Sequence, residues 1–137
     1  MKATDTQIGG SHYKDMTYQP IKLIDKLELD YFSGNVLKYL CRYRQKGGLN
    51  DLEKARHYCQ LAKELNVIMF SPSTLDTEEV EDFVRINEMS EEVGEIIQYD
   101  LLEGRWDAAI DDINKLIEDY KIEQYNATRP RLHGKKY

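Results

Sequence analysis

The residues best suited to chemistry lie between Gly34 and Tyr58, in GNVLKYLCRYRQKGGLNDLEKARHY. Asn35, Lys38, Arg42 and Gln45 recur at helical spacing and predict one polar, cationic face. Two cations one turn apart repel by a few tenths of a kcal/mol on an isolated helix, and a bound phosphate or a nearby carboxylate relieves that. Lys46-Gly47-Gly48-Leu49-Asn50 reads as a turn into the next helix. Backbone N–H groups at a helix N-terminus attract anions, and glycines let a ligand come close. Lys54 follows within about a turn, and Asp51 is placed to orient a cation or a ribose hydroxyl. A phosphate bounded by Lys38, Arg42, the Gly47–Gly48 turn and Lys54 is one reading. A solvated basic face with ordinary caps is the other, with Arg44 and Lys46 answering the helix dipole. The stretch is not a P-loop, and the chain has no GxGxxG, GxSxG or HExxH motif.

Two further groups carry chemistry. Ser11-His12-Tyr13-Lys14 places an imidazole, a phenol and an ammonium in a row on a polar segment, for contact with a ligand or as a mobile terminus. Glu88, Glu91, Glu92 and Glu95 fall together on the helical wheel, and Asp107, Asp111, Asn114 and Glu118 form a second acidic line. Carboxylates so grouped suit Mg²⁺, a hard cation; a face opposite the core is otherwise simply solvated.

The elements that must position these groups are helical. Pro20 opens a short helix ending near Leu29, with Ile21, Leu23, Ile24 and Leu27 as its apolar face. Asp30-Tyr31-Phe32 reads as a connector, and a second helix begins at Ser33 or Gly34. Val36, Leu37, Leu40, Cys41 and Tyr43 are its buried side, and Gly47-Gly48 ends it. Asn50 is expected to cap a third helix, with Glu53 three residues on. Leu52, Ala55, Cys59, Ala62 and Leu65 are its stripe, and Asn66 stops it. Residues 67–70 form an apolar connector. Asp76 is expected to cap a long fourth helix running to about Glu103, stopped by Gly104. A fifth runs from about Arg105 to Tyr125. The fold class is all-α, a small helical domain followed by a long antiparallel helical hairpin. The division is 1–66, 67–128 and a basic tail, 129–137.

The totals bound the function. The 137 residues carry a net charge of −6. Residues 1–66 hold 11 Lys+Arg against 8 Asp+Glu, net +3; residues 67–137 hold 8 against 17, net −9. A basic half that meets anions, backed by an acidic half, argues against sequence-specific duplex-DNA binding, which draws on broad phosphate neutralisation. No run of about 18 apolar residues exists for a membrane span, and the N-terminus lacks a secretory h-region, so cytoplasm is the expected location. Cys41 and Cys59 read as reduced packing residues. The long hairpin and its apolar faces suggest a homo-oligomer.

Two family resemblances extend this. His12-Tyr13, Pro20, Gly34-Asn35-Val36, Lys38-Tyr39, Arg42, Lys46, Asp51-Leu52, Lys54-Ala55 and Tyr58 together resemble a small tailed-bacteriophage family long catalogued as a domain of unknown function, over residues 10–66. One member is a podophage deoxynucleoside monophosphate kinase, acting on dGMP and dTMP without a P-loop. The resemblance implies nucleotide binding (dNMP or NTP) in the host-cell cytoplasm, with ATP or another phosphate donor. By role it places Lys38 and Arg42 at the transferring phosphates. Lys46, Gly47, Gly48, Asp51, Lys54 and Asn35 support them, and His12 and Tyr13 contact base or sugar. Separately, Glu91-Glu92-Val93-Gly94-Glu95 resembles the EExxE half of the all-α nucleotide pyrophosphohydrolases of the MazG and dUTPase type. That implies Mg²⁺ held by Glu91, Glu92, Glu95 and Asp111, but the first acid of the second half is missing at Ala108. A non-catalytic protein that sequesters nucleotides or inhibits a host factor is the third alternative.

Overall fold

The computed structural model describes residues 2–69 and 73–129, and the fold is all-α. Among the described residues there is no strand, and no helix is long and apolar enough to cross a membrane. Most of the expected tail (130–137), together with Phe70 of the expected connector, lies outside the described residues.

Helix α1 is Pro20–Leu27, with Pro20 at its first position and Glu28 left-handed at its end. Leu23 is buried, but Ile21 of the expected apolar face is exposed. Helix α2 is Tyr31–Arg42. It begins earlier than expected because Asp30 caps it, accepting from the Ser33 amide and hydroxyl at 2.9 Å each. An N-cap carboxylate satisfies an amide that the helix leaves free, so Tyr31 and Phe32 are helical.

The chain turns at the expected glycine pair, where Gly48 leaves helical geometry at φ +52 and ψ −136. A wider π-helical segment, Tyr43–Gly47, precedes the turn, and helix α3, Gly48–Glu64, follows it. The Gly48 amide donates to the Tyr43 carbonyl, and Asn50 lies inside α3 instead of capping it. Gly48 takes φ +52, a region where glycine is at ease. Leu52, Ala55, Cys59 and Ala62 are buried as expected, whereas Leu65 is exposed. Asn66, at φ +56, follows the end of α3.

Helix α4 is Thr74–Ile86. Its cap is Ser73 and not Asp76; the two exchange hydrogen bonds of 3.1 Å as a capping box. The expected long fourth helix is broken after Ile86. Asn87 donates to the Tyr18 carbonyl (2.8 Å) and accepts from the Tyr18 amide (3.0 Å), and Glu88 turns left-handed at φ +53. Ser90 then caps helix α5, Glu91–Glu95, which continues as a second π-helical segment, Ile96–Leu101. Helix α6 is Trp106–Thr128.

One hydrophobic core joins all six helices. Helix α3 lies against both α2 and α6, so the N-terminal segment and the segment after Val67 bury their apolar faces in common. The Trp106 indole donates to the Val67 carbonyl at 2.9 Å, which ties the start of α6 to the end of the α3 connection. Cys41 and Cys59 are free thiols, each pushed up to about 12 by burial.

Candidate functional site

The cations singled out from the sequence meet around one aromatic ring. Lys38, Tyr39 and Arg42 lie on α2, and Lys54 comes from α3. The Lys38 ammonium is 4.7 Å from the Tyr39 ring centroid, the Arg42 guanidinium 5.3 Å and the Lys54 ammonium 5.4 Å. These separations allow cation–π attraction, yet three like charges in so small a space also repel one another. Among the described residues neither Lys38 nor Lys54 has a carboxylate partner.

Arg42 does have one. Its Nε and Nη2 donate to Asp51 Oδ2 and Oδ1 at 2.8 and 2.7 Å. This bidentate fork fixes the guanidinium plane and raises the Arg42 pKa. Asp51 is fully buried. Gly47 explains how it fits: a Cβ at Gly47 would stand 1.8 Å from the Asp51 carboxyl. The first glycine of the pair is therefore occupied by the chain's own carboxylate, not by an open ligand turn. Its φ of −86° needs no glycine; the close approach does.

Gln7 holds the SHYK segment in shape, and Tyr13 and Lys46 tie that segment to this region. Gln7 Oε1 accepts from the amides of Tyr13 (2.7 Å) and Lys14 (3.0 Å), and its Nε2 lies 3.1 Å from His12 Nε2. The Tyr13 hydroxyl donates to the Lys38 carbonyl at 3.3 Å, and burial raises its pKa. Burial, with Lys46 and Arg42 nearby, lowers the His12 pKa against the opposing pull of Asp51, so the imidazole is neutral at neutral pH. Lys46 reaches the Gly9 carbonyl at 3.4 Å. His12, Arg44 and Lys46 line a cleft of about 670 Å³, together with Met16, Met89 and Ser90. Asn35 stands apart, donating to the Tyr31 carbonyl of its own helix at 2.8 Å.

The acidic residues have a different setting. Glu91, Glu92, Glu95 and Asp111 are exposed, and the break at Asn87–Ser90 removes Glu88 from their helix. Among the described residues, no three His, Cys, Asp or Glu side chains are grouped to hold a metal ion. The perturbed carboxylate is instead Asp100, in the second π-helical segment. It is buried, its Oδ2 has no hydrogen-bond partner among the described residues, and its pKa is pushed up to about 7. Burial is the first cause and the neighbouring Asp112 carboxyl the second; Glu95 adds to the rise and Arg105 opposes it.

Tyr39 and Tyr58 are site residues to which sequence reasoning assigned no role. The two rings stack with centroids 6.0 Å apart and planes 19° from parallel. Tyr31 stands edge-on to Tyr58 at 5.8 Å. The signal was local: Tyr39 follows Lys38 directly and precedes Arg42 by three, a spacing that puts ring and guanidinium on one helix face.

Residues 8–60 match the family model DUF3310, described as a protein of unknown function. No curated protein and no solved structure matches the chain. The matched span runs from the residue after Gln7 into α3, and every residue described above around Tyr39 falls within it.

Proposed function

We propose that the chain binds a deoxynucleoside monophosphate by its phosphate at the Lys38–Arg42–Lys54 cluster and phosphorylates it from ATP or another phosphate donor. One observation carries this: three cations converge on the Tyr39 ring, and the two lysines have no carboxylate partner among the described residues. A phosphate is the anion that relieves such crowding. Its oxygens accept from two ammonium groups and from Arg42 Nη1, the guanidinium nitrogen that Asp51 does not engage.

Transfer itself is the finer part of the reading, and it draws on the family resemblance. An oxygen of the bound monophosphate attacks the terminal phosphorus of the donor, and the bond to the departing nucleotide oxygen breaks. Such transfer needs mainly positioning and charge stabilisation. The 670 Å³ cleft beside His12 and Lys46 has the volume of a small-ligand site and is the candidate place for the donor. Asp51 acts as a positioning residue for Arg42.

The test is to incubate the protein with ATP and each of the four dNMPs and, separately, with each of the four dNTPs, with Mg²⁺ or with EDTA, and to resolve the products. New deoxynucleoside diphosphate is the expected result. Pyrophosphate released from dNTPs and lost with EDTA indicates the carboxylate-based hydrolase. Ligand-dependent thermal stabilisation without turnover indicates a protein that only holds nucleotides.

A further inference from the structure

We infer that the opening along α3 beside the cation cluster is a nucleobase subsite, with Tyr58 as its stacking surface. This rests on the phosphate reading above and adds the part of the ligand that the cations do not touch. The opening is about 430 Å³ and is lined by Tyr39, Glu53, Lys54, His57, Tyr58 and Leu61.

Three observations define the ligand. First, Tyr39 and Lys54 belong both to this opening and to the cation cluster. A molecule with its phosphate at Lys38 and Lys54 therefore has its remainder at the mouth of this opening. Second, the surface is aromatic and held in place. Tyr58 stacks on Tyr39, its hydroxyl is 3.5 Å from that of Tyr31, and Tyr31 meets it edge-on. A ring fixed on two sides offers a flat face at little entropic cost, and base–aromatic stacking tolerates every base. Leu61 adds apolar wall. Third, Glu53 and His57 are exposed on the same face of the helix. Glu53 has no cationic partner among the described residues. A carboxylate only accepts hydrogen bonds, so at the edge of a stacked base it favours bases that present N–H donors to it. The chemical class is a planar heterocycle with N–H groups on its edge, joined through a short spacer to a phosphate.

The test compares each dNMP with 2-deoxyribose 5-phosphate, the same ligand without its base, by calorimetric titration. The unmodified protein should bind dNMPs at least about tenfold more tightly than the sugar phosphate. Tyr58→Leu, which fills the space without a π face, should bring dNMP affinity down by about tenfold or more. Tyr58→Phe should retain it, and neither variant should change sugar-phosphate affinity. Glu53→Gln should reorder the four dNMPs without altering sugar-phosphate binding. Equal dNMP affinity in the unmodified protein and Tyr58→Leu, with phosphate binding intact, overturns the base subsite and leaves the phosphate reading standing. Absence of binding by either ligand to the unmodified protein overturns both.

Discussion

At the scale of single residues, Asp51 and Gly47 act as one device. The Asp51 carboxylate is fully buried and satisfied by the fork of Arg42, and a glycine is needed at 47 because that carboxylate occupies the space of its Cβ. Breaking a buried ion pair by displacing one partner leaves an uncompensated charge, at a cost of about 3–5 kcal/mol when complete. Gly47→Ala forces the carboxyl aside, so urea unfolding should show a loss of about 2–4 kcal/mol. Phosphate binding should weaken as well, because Arg42 loses its orienting partner. Stability within about 0.5 kcal/mol of the unmodified protein would show that the site relaxes without disturbing the pair.

At the scale of elements, local signals were legible and non-local ones were not. The apolar stripes of α2 and α3 follow helical period and place nearly the same core residues that the structure buries. Helix starts were missed where a nearby residue looked equally good: Ser73 caps α4 in place of Asp76, and Asp30 caps a helix expected to begin at Ser33 or Gly34. The break between α4 and α5 depends on Asn87 holding Tyr18, 69 positions away, which no window of sequence contains. The turn between α2 and α3 was legible in its glycine pair, but the π-helical segment before it and the packing of the Asp51 carboxylate against Gly47 were not.

The second π-helical segment places Asp100 against Asp112, and this gives the fold a pH dependence. Asp100 has its pKa raised from 3.8 to about 7 on folding, first by burial. The folded state thus holds a proton that the unfolded chain releases, so stability falls as pH rises through that window. Below it both states are protonated and the stabilising contribution is fully present; above it the contribution is lost. Asp100→Asn keeps the shape and offers an amide donor to Asp112. Its melting temperature should fall less than that of the unmodified protein between pH 4 and pH 8. Parallel melting curves across that range would show that Asp100 stays ionised in the fold.

At the scale of the whole molecule, the sequence pointed to Lys38, Arg42 and Lys54 through helical spacing and through family resemblance. The structure adds what brings them together: α2 and α3 share a buried seam, and Tyr39 stands where their polar faces meet. The aromatic floor was not legible as such, because Tyr31, Tyr39 and Tyr58 become neighbours only when the two helices pair. The acidic half of the chain pairs with Lys26, Arg44 and Lys63 of the first half, and among the described residues Lys38 and Lys54 keep no carboxylate partner. The most direct measurement is a calorimetric titration of a dNMP into the unmodified protein and into Lys38→Ala/Lys54→Ala. Charge-assisted hydrogen bonds contribute about 1.5–3 kcal/mol each. The double variant should therefore lose roughly 100-fold or more in affinity while keeping its helical circular dichroism and melting temperature. Unchanged affinity in the folded double variant would contradict phosphate binding at the Tyr39 cluster.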